Sequence, residues 1–374
     1  MRQFERQRFF RHRETETTSI HLVDVLTDRM TVDKAYRLPN RDPGTYKTLF
    51  KEVEIVPAME AVNEEEWRLM RMPIATQEFG PATWTARLED FIWQNWAPDK
   101  FHLVFHSSGQ DSRVLGMAIK VLHERMGDDW LGDVLFASYA EGEGFRRLMA
   151  IEGWPQSQWV SYDDAGPLLD RGLDLEHMGE GLNGPLLGAN NQNWEFVSWL
   201  QHEGKAPQDD SQIQVWSGYS ERLVGACHPK GNRLHKEHRF IYESAMSISR
   251  SKGSETAYPF ESYDFLRAII QSSYRLNSNP PDGPNRFMRK MAQYRSDELA
   301  DVPRTPKYLP QLSATRGEQM VRDYRASWYG REVHPRAANH ATRNVATYSP
   351  WWAHYTAAAF CEYLRREGYE LRAE

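Results

Sequence analysis

The stretch that most constrains the fold is Phe101 to Leu122, FHLVFHSSGQDSRVLGMAIKVL. It opens on Leu103-Val104-Phe105, an apolar run of the length and character of a buried strand. The polar turn His106-Ser107-Ser108-Gly109-Gln110-Asp111-Ser112 follows. Val114, Leu115, Ala118, Ile119 and Leu122 then fall on one face at helical spacing. Strand, small-residue turn, helix is a geometry that offers free backbone N–H groups to an anion, and the helix dipole adds to the attraction. Two serines and a glycine allow phosphate oxygens close to the main chain.

Asp111 is the odd member of such a turn. A carboxylate beside a phosphate is repelled unless a cation lies between them, and Mg²⁺ is the hard, oxygen-seeking candidate. The bland alternative is an ordinary strand-to-helix connection in which Asp111 and Ser112 cap the helix. The turn resembles the pyrophosphate-binding loop S-G-G-x-D-S of the N-type ATP pyrophosphatases. It matches at Ser107, Gly109, Asp111 and Ser112 and departs at Ser108, where that family has glycine.

Composition excludes several classes. With a net charge of −6, a broadly basic nucleic-acid surface is not implied. Only Cys227 and Cys361 are present, too few for a disulfide framework or a cysteine zinc site. No uninterrupted apolar run approaches the roughly 18 residues of a membrane span, and no secretory signal is recognised, so a cytoplasmic protein without a membrane partner is expected.

Along the chain, Arg2, Arg6, Arg8, Arg11 and Arg13 interleave with Phe4, Phe9 and Phe10. This basic arm is the one stretch that suggests nucleic acid or an acidic partner. The plainer expectation is a frayed or docked helix with solvated arginines. Residues 1–75 are read as a small N-terminal region of short β-like pieces, such as Ile20 to Val23, and turns. A helix is predicted from Trp84 to Trp96, a second strand from Asp133 to Tyr139, a helix from Phe145 to Glu152 and a third strand from Gln158 to Tyr162. Strand and helix alternating in this way predict a parallel sheet. Its ligands belong beyond the carboxyl ends of the strands, where the central turn and the tip of the second strand become neighbours. After a helix from Trp194 to His202, another apolar strand, Ile213 to Trp216, ends in Ser217-Gly218-Tyr219-Ser220-Glu221. Two such junctions on one sheet are expected to converge, with Asp111 and Glu221 sharing Mg²⁺. Helices are predicted at Gly317 to Ser327 and Trp351 to Glu367, the latter packing through Trp352, Tyr355, Ala359 and Leu364. His334 and His340 between them match no usual ligand spacing and read as scattered surface histidines.

From Thr76 to Lys307 the order of features resembles the synthetase domain of the asparagine synthetase family. The family's S-G-G-x-D-S loop corresponds to Ser107 to Ser112. Its S-G-E-G-x-D-E-L-F-G-G-Y block is echoed, shortened, by Ser217 to Gly225, and its S-x-x-x-x-x-E-x-R-x-P-F-L-D block by Ser249 to Glu261. The final K-x-x-L-R and R-x-K elements are echoed by Asn285 to Arg289 and by Arg304 to Lys307. The resemblance implies an α/β fold: a parallel-sheet PP-loop (adenine nucleotide alpha hydrolase-like) domain over 76–310, followed by a helical C-terminal extension over 311–374.

What the resemblance further implies is cleavage of ATP to AMP and pyrophosphate, with Mg²⁺, to adenylate a carboxylate that an amine then captures. Small-molecule carboxylate and amine substrates are the implied partners. Ser107, Ser108, Gly109, Gln110, Asp111 and Ser112 would hold the pyrophosphate portion, and Asp111 and Glu221 the Mg²⁺. Phe105 and Ser138 fall where the family flanks the adenine, while Ser217 and Gly218 would contact the nucleotide. The departures are equally informative. Arg2 stands where a glutaminase half has its cysteine nucleophile, so glutamine-derived ammonia is not expected. Tyr219 replaces the loop glutamate and Asn285 the catalytic lysine, leaving Arg286 or Arg289 to supply positive charge without acting as a proton shuttle. Asparagine is therefore not the expected product. Two alternatives stay open: a PP-loop enzyme modifying a nucleobase or tRNA, and a non-catalytic binding or scaffold protein on the same fold.

Overall fold

An apolar strand with no polar alternation must be covered on both faces, and the central strand of this chain is. A computed structural model describes residues 10–19, 22–35, 48–56, 80–138, 142–161, 197, 200–218, 255–257, 264–265, 267–268, 285–303, 314–341 and 350–374.

The chain opens with β1 (Phe10–His12), β2 (Thr18–Ser19), β3 (Arg29–Val32) and β4 (Val53–Ile55), followed by helix α1 (Pro81–Asn95). The α/β layer comprises β5 (Phe101–Phe105), α2 (Gln110–Met126), α3 (Asp128–Leu131), β6 (Val134–Ser138), α4 (Gly142–Glu152), β7 (Trp159–Ser161), β8 (Ile213–Ser217) and β9 (Glu255–Ala257). Helices α5 (Asn285–Arg295), α6 (Asp297–Asp301), α7 (Ala314–Ala326) and α8 (Pro350–Arg366) come next, and β10 (Glu370–Ala373) is last.

The five strands β7-β6-β5-β8-β9 form one sheet, and every pair in it is parallel. The predicted parallel α/β layer is therefore present. The chain builds outward from β5 to β6 and β7, then returns to lay β8 on the other side of β5. That reversal falls between β5 and β8, and sheets of this kind bind ligands beyond the carboxyl ends of the strands at such a point.

One face of the sheet buries Val104, Phe136 and Trp216 against Trp84, Leu88, Leu115, Ile119, Phe287 and Met291 of α1, α2 and α5. The other buries Leu103, Phe105, Leu135, Val215 and Val160 with Val197, Leu200 and Ala206. Glu89 of α1 sits within the helical layer at 5 % exposure, paired with Arg295 of α5 and, at 3.6 Å, with Arg125 of α2. Burial raises its carboxyl above the usual range, against the pull of the two arginines.

At the amino end of the sheet, Trp96 stacks on His102 with ring centroids 3.7 Å apart and lies about 5 Å from both Trp130 and Trp216. His102 donates from Nε2 to the Ala97 carbonyl at 2.9 Å and accepts the Trp216 indole N–H on Nδ1 at 3.1 Å. Both ring nitrogens are satisfied only in the neutral form. Burial, the dominant cause, pushes the pKa down to about 4. Between pH 6.5 and 4 the unfolded chain takes up a proton that the folded chain refuses, so stability is full above that window and falls as pH drops through it. The full span is worth about 3 kcal/mol. Denaturant unfolding at pH 7 and 4.5 should show the loss, and His102→Gln should flatten it. An equal pH dependence in both proteins would remove His102 as its source.

A second core joins the two ends of the sequence. β2-β1-β4 form an antiparallel sheet, and β3 pairs in parallel with β10, Arg29 opposite Glu370 and Val32 opposite Ala373. Phe10, Leu22, Met30, Phe50 and Ile55 pack with Tyr324, Trp351, Tyr355, Phe360 and Leu364. Sequence reading treats 1–75 and 311–374 as separate segments. The boundaries near 76 and 310 lie outside the described residues, but the described parts of both ends share one interior. Phe10–His12 is a strand, not the expected helix, because Phe10 and His12 alternate inward with a half-exposed Arg11 between them. Helix α8 buries more than the expected stripe: Tyr355, Ala359 and Leu364 are joined by Ala357, Ala358, Phe360 and Cys361. Among the described residues no helix is long and apolar enough to cross a membrane.

Candidate functional site

The turn after β5 is shorter than its composition suggests. It spans His106 to Gly109, and Gln110, Asp111 and Ser112 already form the first turn of α2. Gly109 is the N-cap, in extended conformation, with no side-chain cap bond. Neither Asp111 nor Ser112 caps the helix. Instead Ser107 Oγ accepts the Gly109 N–H at 3.1 Å and bonds to Ser112 Oγ at 3.0 Å. A hydroxyl turning the chain just ahead of the helix lets the helix begin early. The amides of Gln110, Asp111 and Ser112 are among those that lack intrahelical acceptors by helix geometry. Asp111 sits in that first turn, where a negative charge is favoured by the dipole.

Two buried polar clusters hold this junction, and sequence reasoning found neither. His106, which opens the turn, bonds through Nε2 to Glu152 Oε1 at 3.0 Å, and Glu152 Oε2 accepts the Trp154 indole N–H at 2.9 Å. His106 and Glu152 are 2 % and 6 % exposed. Gly116 of α2 makes room for the pair: a Cβ there would lie 2.5 Å from His106 Nε2 and 2.8 Å from Glu152 Oε2. A glycine inside an otherwise regular helical pattern was the available signal. The second cluster is Arg113, fully buried one residue beyond Ser112. Its Nε and Nη2 donate to the Ser108 carbonyl at 3.1 and 2.7 Å, and its Nη1 to the carbonyls of Leu299 and Ala300 at 3.0 and 3.1 Å.

The predicted site residues fall as follows. Phe105 ends β5 and is buried, Ser138 ends β6, and Ser217 ends β8 with Gly218 just beyond it. Because β6, β5 and β8 are neighbours, these positions and Ser107 to Ser112 all lie at one end of the sheet. Phe105 is in register with Ser217, and Ser138 with Ser161 of β7. Among the described residues, Ser138 Oγ, Ser161 Oγ, Gln110 Oε1 and His106 Nδ1 are buried without hydrogen-bond partners. Glu221 lies outside the described residues, so its convergence with Asp111 stays an expectation. Arg286 lies in the first turn of α5. Arg289, one turn on, is exposed and paired with Asp301 at 3.2 Å. Of the echoed blocks, Tyr219 to Gly225 and Arg304 to Lys307 lie outside the described residues, as does the Ser249 to Glu261 block apart from β9.

Elsewhere the chemistry is sparse. Among the described residues no group of three or more His, Cys, Asp or Glu side chains is placed to hold a metal. His334 packs against Tyr329 and His354 rather than standing on the surface, with centroids 5.6 and 4.6 Å away. His340 is exposed, as expected. An open cleft of about 880 Å³, lined by Phe101, Asp133, Gln156, Trp159 and Lys205 among others, lies at the amino ends of β5, β6 and β7. It is at the opposite end of the sheet from the turn. No protein-family model matches the chain, and no curated protein is significantly similar to it.

The described donor set suits a phosphate with a hard cation: first-turn amides, the Ser107 and Ser112 hydroxyls, and one carboxylate at Asp111. Asp111 alone would be a single protein ligand, which matches Mg²⁺ carried largely by phosphate oxygens and water.

Proposed function

We propose that the chain is an ATP-dependent, AMP- and pyrophosphate-forming ligase on a PP-loop (adenine nucleotide alpha hydrolase-like) fold related to asparagine synthetases. It would adenylate a carboxylate, or another carbonyl group, for attack by a nitrogen nucleophile other than glutamine-derived ammonia. The observation that carries this reading is the placement of the Ser107–Ser112 junction. It follows the central strand of a parallel sheet, at the reversal point, beside Ser217 and Gly218 at the end of β8.

The first-turn amides of α2 and the Ser107 and Ser112 hydroxyls would take the β- and γ-phosphate oxygens. Asp111 would hold Mg²⁺, with Glu221 as a second ligand, and Mg²⁺ would offset charge on the departing pyrophosphate. Phe105 and Ser138 would flank the adenine. A substrate carboxylate oxygen would attack the α-phosphorus in line with departure of pyrophosphate. The amine would then attack the acyl carbon, forming the amide as AMP leaves and the nitrogen gives up a proton to water. Arg286 and Arg289 would add positive charge near the pyrophosphate, Arg289 only after leaving Asp301. Asn285 at the position of the family's lysine favours a second reading, a nucleotide-binding protein that has lost the chemistry.

Pyrophosphate release from ATP and Mg²⁺, across a panel of carboxylates and amines, separates the two readings. Asp111→Asn should lower turnover about a hundredfold, equivalent to ~2.7 kcal/mol of transition-state stabilisation. Its effect on stability should stay within about 1 kcal/mol, the size of a first-turn charge interaction. Unchanged turnover in an active background would defeat the metal assignment. A wild type that binds ATP without releasing pyrophosphate would support the second reading.

A further inference from the structure

A buried arginine is costly unless its charge is spread over well-placed acceptors. Arg113 spends its guanidinium on main-chain carbonyls from two places far apart in sequence: Ser108 in the turn, and Leu299 and Ala300 in α6. Nε and Nη2 grip one carbonyl as a fork, while Nη1 spans the other two. The grip on Ser108 has a directional consequence. With the Ser108 C=O drawn toward the guanidinium, the planar peptide it belongs to sends the Gly109 N–H the opposite way, toward Ser107 Oγ. The amides of the following residues continue the helix from that starting orientation. Gln110 Nε2 also reaches the Ala300 carbonyl at 3.5 Å, the outer limit of a hydrogen bond. The other end of the linkage is firmly seated. Leu299 and Val302 are buried with Leu148 of α4, and Ser296 caps α6 through the Leu299 N–H at 3.2 Å.

We propose that Arg113 is a positioning residue that couples α6 to the Ser107–Ser112 turn, so that the anion-facing shape of the turn is set by segment 297–301. The functional side of the proposal rests on the reading that this turn holds the phosphates of a nucleotide. Arg113 itself touches no substrate. It acts by fixing one peptide plane, and a lysine, with a single ammonium in place of the planar fork, cannot hold both carbonyl sets at once.

Amide hydrogen exchange tests the coupling without any ligand. In the wild-type protein, amides 108–111 and those of α6 should open as one unit, with the same sensitivity to low denaturant. In Arg113→Lys, exchange at both segments should rise at least tenfold, while protection in the middle of β5 and α2 changes less than twofold. The Kd for Mg²⁺–ATP, measured on the folded fraction, should rise about tenfold, a change that a uniform loss of stability would not produce. Loop amides that open independently of α6 in the wild type would overturn the proposal, even if the variant does not fold. So would a folded Arg113→Lys protein with unaltered loop exchange or unaltered Kd against a binding wild type. Wild-type protein with coupled exchange but no affinity for ATP would overturn the nucleotide reading and, with it, the functional role of Arg113, leaving the mechanical linkage standing.

Discussion

Glu152→Ala is expected to lose about 3–5 kcal/mol of stability, the usual cost of breaking a buried charged or strongly hydrogen-bonded pair from one side. Both carboxylate oxygens are engaged, one by His106 and one by Trp154, and the side chain is 1 % exposed. Truncation strands two buried donors and opens a void beneath Gly116. Glu152→Gln separates these effects. It fills the space, and its oxygen can accept the Trp154 indole N–H while its NH₂ donates to His106 Nε2. That tautomer strands a buried Nδ1–H, so the variant should fall between wild type and alanine. Denaturant unfolding followed by tryptophan fluorescence measures all three. A loss below about 1 kcal/mol in the alanine variant would mean that water satisfies the ring donors. If the turn holds a nucleotide as proposed, Glu152→Ala should also weaken Mg²⁺–ATP binding in whatever fraction stays folded, because His106 opens the turn.

The second large effect is steric and lies in the other core. After α7 the chain makes a π-turn over Tyr329–Val333, a wider winding that brings Gly330 against the last carbonyls of α7. A Cβ on Gly330 would lie 1.9 Å from the Tyr324 carbonyl oxygen and 3.1 Å from Ser327 Oγ. Ser327 Oγ also donates to the Tyr324 carbonyl at 2.6 Å and accepts the Gly330 N–H at 3.0 Å, so the obstruction is part of a closed hydrogen-bonded turn. Gly330→Ala should therefore cost on the order of 3 kcal/mol or more, at the upper end for overpacking. The loss should fall on Tyr324, Tyr329 and Trp351, which pack ring to ring beside it, and leave the α/β layer in place. Hydrogen exchange that rises in α7 and α8 but not in β5 would show this. A melting temperature within a degree of wild type would mean that the turn relaxes freely.

Parts of this architecture were legible because they depend on local period. Leu103 to Phe105 and the apolar face of α2 announce a buried strand feeding a helix, and the two further strands on that side follow the same alternation. The start of α2 was not legible, since Ser112, Asp111 and Gln110 are as good turn residues as first-turn residues. Only the Ser107 hydroxyl bonded to Gly109 decides between them. Nothing in the sequence singles out Arg113, because two of its acceptors are the carbonyls of residues 299 and 300. His106 reads as a turn residue until Glu152 and Trp154 are seen beside it. β10 is short, polar and half-exposed, and its partner lies near the other end of the sequence, so no local pattern marks it. Of the predicted metal pair, Asp111 stands at the junction and Glu221 lies outside the described residues, so their sharing of a metal stays an expectation.

The pairing of β3 with β10 carries a consequence for the order in which the molecule is made. Lys34 N–H donates to the Glu374 carbonyl, Glu374 N–H to the Val32 carbonyl, and Lys51 meets the Glu374 carboxylate at 3.1 Å. During synthesis on a ribosome, residues 10–56 emerge before the α/β layer, yet the apolar surfaces of Phe10, Met30 and Phe50 are completed by helices and a strand translated after it. The α/β layer can close on its own residues while those strands wait, exposed edges and all. Such long-range closure is slow, and a segment waiting for it is exposed to mispairing. Arg29, on the β3 edge that β10 later covers, places a charge there that works against pairing with a neighbouring nascent chain in the meantime.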